Sequence, residues 1–121
     1  MVGEIKIEGN TVIFQLRGVD KLLAIKSTLR IPIEHIVGVS TERANWEPFK
    51  QLRVGGSYVP GVVKDGRYYD PKTGLLFYEM HNPENCVTVS LREERYKKII
   101  FEVQDKESAA KLLKDAIRKN G

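Results

Sequence analysis

"CVTVSLREERYKKIIFEVQDKESAAKLLKDAIRKNG", residues 86–121, decides the fold, because its hydrophobic period changes part-way along. Val87, Val89 and Leu91 alternate with polar residues, and YKKIIFEVQ alternates again after the polar turn REER, as half-buried strands do. Apolar residues at helical spacing follow, namely Ala109, Leu112, Leu113, Ala116 and Ile117. The stretch therefore predicts a β-hairpin and then an amphipathic helix.

The ends of this helix are marked by charged residues. Asp105 is suited to the N-cap, Glu107 lies in the first turn, and Arg118 and Lys119 lie in the last turn, where they complement the helix dipole. The predicted helix runs from Lys106 to Lys119.

Upstream of the hairpin the chain reads as further strands. VGEIKIEG and TVIFQLRG flank the turn signal EGNT, and KLLAIKST predicts a third strand. Pro32 should interrupt the next strand, Ile33 to Ile36 could form one helical turn, and IVGVST should resume as a strand. Strands first and one helix last predict a mainly β member of the α+β class, in one domain over residues 1–121.

Residues 52–74, "LRVGGSYVPGVVKDGRYYDPKTG", are rich in glycine, proline and tyrosine. A phosphate-binding loop would need GxxxxGK[ST] or GxGxxG spacing before a helix, and neither is present. Gly55, Gly56 and Gly61 instead predict a bent strand at a sheet edge, with KDGR and DPKTG as turns. The alternative is that GSYVPG forms an exposed binding loop.

These features resemble the pleckstrin-homology-like domains found in small bacterial and archaeal proteins. LRIPIEHIVGV, residues 29–39, is similar to the L-x-[IV]-P-x-x-x-I-x-x-[IV] stretch of such domains, and residues 59–117 resemble their second half. The resemblance implies a bent antiparallel barrel of seven or eight strands, capped by the helix, that binds lipids, peptides or proteins without catalysis. The basic residues that phosphoinositide-binding members carry on the first hairpin are reduced here to Lys6 and Arg17, beside Glu4 and Glu8.

Composition restricts the class of protein further. The chain has 121 residues, 30% of them charged, and a net charge of +4 with both signs mixed along it. No apolar run approaches the roughly 20 residues of a membrane-spanning helix, and the start lacks a secretory pattern. Cys86 is the only cysteine, which agrees with a reducing compartment, so we expect a cytoplasmic protein.

Catalytic and metal-binding patterns are absent from the sequence. His35 and His81 have no HxH, HExxH or CxxC partner at a usable spacing, and Cys86 reads as a small buried residue. Glu93 and Glu94 belong to a polar turn. We therefore expect no enzyme, metal or cofactor, unless a pocket joins His81 or Cys86 to a group of shifted pKa.

The remaining candidates are contact residues on a surface. Aromatic and basic side chains of this kind anchor interfaces; they are Trp46, Phe49, Arg53, Tyr58, Arg67, Tyr68, Tyr69, Lys97 and Lys98. The first interpretation is self-association or docking of a protein segment at strand edges around residues 55–66. The alternative is peripheral binding of anionic lipid or nucleic acid through this surface with Lys64 and Lys72 and the basic hairpin around Arg92 and Arg95.

Overall fold

The computed structural model describes residues 3–15, 28–42, 52–59 and 63–120. Within these residues the strands are β1 (Glu4–Glu8), β2 (Thr11–Gln15), β3 (Thr28–Pro32), β4 (Ile36–Ser40), β5 (Leu52–Val59), β6 (Val63–Asp70), β7 (Gly74–Met80), β8 (Cys86–Leu91) and β9 (Lys98–Glu102). The helix α1 spans Lys106–Asn120, and short 3₁₀ turns occur at Ile33–His35 and Pro83–Asn85. The mainly β, α+β class with one C-terminal helix is confirmed.

The strands form two sheets. One has three strands in the order β1-β2-β3, and the other has six in the order β4-β8-β9-β7-β6-β5. In the described part of the chain these sheets are not closed into a barrel, so the expectation of a closed barrel is wrong. A strand period of two fixes which face a residue occupies, but it does not fix which strand lies next to which.

One strand pair also departs from the expected antiparallel arrangement. β9 lies between β8 and β7, antiparallel to β8 and parallel to β7, with Phe77 opposite Ile99. The chain leaves β7, passes through a 3₁₀ turn and β8, and returns as β9. All other pairs in the two sheets are antiparallel among the residues described.

The break at Pro32 is confirmed. β3 ends at Pro32, Ile33–His35 form a single 3₁₀ turn, and β4 begins at Ile36. Pro32 has a φ of −58° and cannot donate to a ladder, which suits the point where the chain leaves one sheet for the other. The Ile33 N–H donates to the Asn10 carbonyl over 2.8 Å, which ties this crossing to the β1–β2 turn.

The glycine-rich stretch is strand for most of its length. β5 is an edge strand, as predicted, and its register with β6 shifts between Arg53 and Gly55, which is consistent with a β-bulge; Gly61 lies outside the described residues. KDGR is not a turn, because Lys64 to Arg67 lie within β6. DPKTG is a turn as expected: the Thr73 N–H donates to the Asp70 carbonyl over 3.1 Å, and Gly74 has a φ of 115°.

The hydrophobic core lies between the two sheets and the helix. Val12 and Phe14 of β2 meet the inner face of the larger sheet, where the Phe14 and Phe101 rings pack edge to face at 5.5 Å. Leu113 of α1 joins the same cluster. The opposite face of the larger sheet carries a second buried cluster, made of Tyr68, Leu76, Tyr78, Met80, Cys86 and Ile100.

The helix begins as predicted. The Ser108 N–H donates to Asp105 Oδ1 over 3.1 Å, so Asp105 is the N-cap. The predicted hydrophobic stripe is confirmed at Leu113, which is buried, and at Ala109, Ala116 and Ile117, which pack against the core. Ala110 is buried as well, whereas Leu112 is 44% exposed. Leu112 lies at the margin of the stripe and faces a groove described below. Among the helices described, none has the length and apolarity needed to cross a bilayer.

Candidate functional site

Two buried carboxylates lie at the ends of the adjacent strands β7 and β9. Glu79 is 3% exposed and Glu102 is 5% exposed. Glu102 Oε1 accepts hydrogen bonds from the backbone N–H groups of His81, at 2.5 Å, and Asn82, at 2.7 Å. Glu102 therefore holds the start of the β7–β8 connection against β9, which is a structural use of its charge.

His81 and Cys86 lie beside these carboxylates. His81 Nδ1 is 3.9 Å from Glu79 Oε1 and 3.8 Å from Glu102 Oε1. The Cys86 thiol donates weakly to the Asn82 carbonyl over 3.5 Å. An enzymatic interpretation would require His81 or Cys86 to lie beside an ionisable group of shifted pKa. The protonation state of Cys86 therefore bears on that interpretation.

The surroundings keep the Cys86 thiol protonated. Burial first, and then the negative charges of Glu102 and Glu79, raise the pKa of Cys86 from 9.0 to about 12. A cysteine nucleophile needs the opposite shift, toward the thiolate. Among the residues that the structure describes, no three His, Cys, Asp or Glu side chains come together in a way that could hold a metal ion.

The other histidine is also used within the fold. His35 Nδ1 lies 2.5 Å from Glu94 Oε2, and the His35 carbonyl accepts from the Arg92 N–H over 2.8 Å. Arg92 Nε donates to the Glu34 carbonyl over 3.0 Å. The β8–β9 connection is thus fastened to the 3₁₀ turn after Pro32.

The contact residues expected from the sequence differ in how far the fold buries them. Tyr68 is 1% exposed and its ring packs edge to face on Tyr78 at 5.3 Å, so it is a core residue and not a surface contact. Tyr69, the next residue of β6, points the other way and is 44% exposed. Arg67 and Lys98 are partly exposed, and Lys97 is exposed.

The structure brings three of the surface residues to one end of the larger sheet. Tyr69 is opposite Leu75 in the ladder, and the Lys97 N–H donates to the Leu75 carbonyl over 2.7 Å. Lys72 lies in the intervening β6–β7 turn, where its N–H donates to Asp70 Oδ1 over 2.8 Å. We call Tyr69, Lys72 and Lys97 the basic end of the sheet.

The basic hairpin around Arg92 and Arg95 lacks a free aromatic ring. Tyr96 is buried and packs against Phe77 at 5.4 Å, while the Arg95 guanidinium lies 5.7 Å from its ring centre. Tyr96 is therefore not available to stack on a nucleic acid base.

The other four expected contact residues lie either outside the described residues or in β5. Trp46 and Phe49 lie outside the described residues. Arg53 and Tyr58 belong to β5, where the ladder pairs Arg53 with Tyr68 and Tyr58 with Lys64.

A groove between β1 and α1 was not expected from the sequence. A depression of about 360 Å³ lies between Ile7, Gly9 and the helix residues Leu112 and Ala116, and a second of about 250 Å³ continues past Ile5. Leu112 lines both. We call this the β1–α1 groove. The signal that points to it is Leu112, an apolar residue at the edge of the helical stripe.

β1 borders this groove as an edge strand. It pairs with β2 on one side, and no other strand pairs with it among the described residues. Gly9 has a φ of 58° and is the first residue of the two-residue β1–β2 turn, the position that glycine occupies in type II′ turns. The groove thus places apolar side chains and the polar residues Asp115 and Lys119 beside a strand edge that no described strand covers.

No protein-family model, curated protein or solved structure matches this chain.

Proposed function

We propose that the chain is a non-catalytic interaction module that associates with itself or docks a protein segment. The observation that carries this proposal is the set of four edge strands, β1, β3, β4 and β5, which each have a strand neighbour on one side only within the described residues. Such edges present unpaired backbone N–H and C=O groups, and proteins use them to accept a further strand.

The use of the reactive side chains inside the fold supports the same proposal. Cys86 is held as a thiol, Glu102 accepts two backbone N–H groups, and Glu94 is engaged by His35. Each of these contacts connects two parts of the fold. No step of a reaction is needed to account for them.

The proposal extends to a divergent pleckstrin-homology-like domain. The L-x-[IV]-P motif at residues 29–32 and the C-terminal helix packed against the sheets support this assignment. The parallel β7–β9 pair and the open sheets depart from it. The interaction role rests on the strand edges and holds with or without the family assignment.

The test is the molar mass of the purified chain by light scattering across the micromolar range, at low and high salt, together with identification of co-purifying proteins. We expect a defined oligomer or a stoichiometric protein partner that persists at high salt, because backbone pairing and apolar contact are weakly screened. A chain that is monomeric throughout and brings no partner would contradict the proposal.

A second candidate is peripheral binding to an anionic lipid surface at the basic end of the sheet. The observation that favours it is the exposure of Tyr69 beside Lys72 and Lys97. Binding to vesicles containing phosphatidylserine should weaken steeply as salt rises, and Lys72→Glu should reduce it, with Lys111→Glu on the helix as the matched control. Equal loss in both variants, or no binding at low salt, would remove this candidate.

A further inference from the structure

Among the strands that the structure describes, β1 pairs with β2 on one side and with none on the other. In a hairpin with a two-residue turn, the flanking residues form a hydrogen-bonded pair, and hydrogen-bonded pairs then alternate along the ladder. Glu8 and Thr11 flank the turn, so the even-numbered residues of β1 bond to β2. The backbone groups of Ile5 and Ile7 consequently point outward, over the β1–α1 groove.

One end of this open side is already occupied. The Gly3 N–H donates to the Glu102 carbonyl over 3.0 Å, which agrees with the outward direction of odd-numbered residues. Gly3 is buried against Phe101. An incoming strand can therefore pair from Ile5 toward the turn, and it cannot continue past Gly3.

The side chains of β1 make it complementary to itself. Its sequence is EIKIE, with Glu4, Lys6 and Glu8 exposed and Ile5 and Ile7 half-buried on the other face. In an antiparallel pair of two copies that keeps the faces matched, the residues on the two-fold axis can be Ile5, Lys6 or Ile7. The Lys6 register sets Lys6 against Lys6 and Glu4 against Glu8, which is unfavourable.

The other two registers differ in what they require of Gly3. Centring on Ile5 places Ile7 opposite Gly3, whose N–H is already bonded to Glu102. Centring on Ile7 places Lys6 opposite Glu8 of the other copy, and Ile5 opposite Gly9. Gly9 has no side chain, and nothing lies within 4 Å of the position where one would project. Room is thus available there for the other copy's Ile5.

From these observations we infer that the chain dimerises through β1, antiparallel and centred on Ile7, to make one continuous six-stranded sheet from two three-stranded ones. This inference rests on the proposed interaction role and names its partner as a second copy. The two Ile7 residues exchange both backbone hydrogen bonds, and Lys6 faces Glu8 of the other copy on the outer face. The two-fold axis is perpendicular to the sheet, so both copies of Leu112 come to the same side and cover the groove.

The test is charge reversal and rescue, read as dimer dissociation constants from analytical ultracentrifugation of the full-length chain at low salt. Lys6→Glu and Glu8→Lys each set like charges opposite one another at both symmetric positions, so each should weaken dimerisation by about 10-fold or more. An equimolar mixture of the two variants restores both attractive pairs and should recover wild-type affinity.

The matched control is Glu4→Lys, which makes the same change in net charge on the same exposed face. In the Ile7 register Glu4 lies opposite Asn10 of the other copy, so Glu4→Lys should leave the dimer within about 2-fold of wild type. Leu112→Gln, at an exposed position, should weaken the dimer and leave the circular dichroism spectrum of the monomer unchanged.

The outcomes separate this inference from the proposed function. A wild-type oligomer on which Glu4→Lys and Glu8→Lys act equally, or a mixture that does not recover, overturns the β1 dimer and leaves an interaction module that uses another edge. A wild-type chain that stays monomeric at its highest soluble concentration also overturns the β1 dimer. The proposed function fails as well only if no partner protein co-purifies.

Discussion

The fold strongly changes the acid–base behaviour of the Cys86 side chain. It is fully buried at the start of β8, and its pKa is raised to about 12 by burial and by two neighbouring carboxylates. A thiol held protonated reacts slowly with alkylating reagents, so the residue contributes packing to the second cluster and no nucleophile.

This raised pKa predicts a loss of stability in alkali. In the unfolded chain the thiol deprotonates above pH 9, whereas in the folded chain it stays protonated to about pH 12. Between these values the unfolded state binds fewer protons, so the free energy of unfolding falls as pH rises, by about 1.4 kcal/mol per pH unit.

Urea denaturation measures this fall in the free energy of unfolding. The wild type and Cys86→Ala should be compared from about pH 8 to about pH 10.5, a range in which the thiol of the unfolded chain begins to deprotonate. The difference between the two proteins isolates Cys86 from tyrosine and lysine titration. A difference that does not change with pH would contradict the raised pKa.

Two substitutions of Glu102 are predicted to differ in how much they lower the free energy of unfolding. Glu102→Ala leaves the N–H groups of His81 and Asn82 without their acceptor, which should lower the free energy of unfolding by about 2–4 kcal/mol. Glu102→Gln keeps an acceptor oxygen and should cost less than half as much. Urea denaturation at pH 7 compares them, and equal losses would show that the charge matters more than the hydrogen bonds.

The helix α1 is the element whose start depends on a single side chain. Asp105 accepts from the Ser108 N–H and hydroxyl, and these hydrogen bonds hold the pKa of Asp105 below its usual value. A carboxylate whose pKa is depressed on folding stabilises the protein above its unfolded pKa, and that contribution is lost as pH falls through the folded pKa.

Replacement of this cap should therefore have an effect that depends on pH. Asp105→Ala should lower the melting temperature by a few degrees at pH 7, and by less at an acid pH below the depressed pKa of Asp105, where the wild-type carboxylate is protonated. Asp105→Asn keeps a capping oxygen that does not titrate, so its melting temperature should stay close to wild type at pH 7. Calorimetry at the two pH values decides, and a pH-independent loss in Asp105→Ala would count against the cap.

The sequence predicts an element boundary correctly where a single residue determines that boundary. Pro32 ends β3 because it fixes its own φ, and the helix begins after Asp105 because a side-chain oxygen satisfies an N–H there. The parallel β7–β9 pair has no local cause, since alternation in each strand is the same whichever neighbour it has. KDGR was misassigned because Gly66 adopts a φ of 101° inside β6 instead of in a turn.

The candidate sites were harder to predict than the elements. Trp46 and Phe49 lie outside the described residues. Tyr68 and Tyr69 are neighbours in β6 and must face opposite ways, but the sequence does not say which of the two is buried. The buried carboxylates were missed, although Glu79 and Glu102 each stand among apolar strand residues, which is a readable signal. The β1–α1 groove joins segments that are distant in the chain, so the local pattern marks Leu112 and cannot show that β1 lies opposite it.

At the scale of the whole molecule, Gly3 is a point where the two sheets meet. Its N–H bonds to Glu102 of β9, and a Cβ at this position would fall within the Phe101 ring. Gly3→Ala should therefore force β1 and β9 apart and lower the free energy of unfolding by about 1–3 kcal/mol.

Gly38 of β4 provides the matched control. A Cβ there would make only an ordinary contact, at 3.9 Å from the Ser90 Cβ, so Gly38→Ala should change stability by less than about 0.5 kcal/mol. Chemical denaturation of both variants makes the comparison. Similar values for the two would mean that β1 moves away from Phe101 at little cost.

The order of strands in the larger sheet also constrains how the chain reaches its folded form. β4 is complete early in synthesis, but its ladder partner is β8, and β9 reaches its place beside β7 only after β8 has been made. Helix α1, which supplies Leu113 to the core between the sheets, follows all of these strands in the chain. The larger sheet therefore cannot form by sequential addition of neighbouring hairpins as the chain emerges, whereas β1, β2 and β3 can. A nascent chain that stops before residue 106 exposes the apolar surface that α1 covers, so assembly of the molecule waits for its final helix.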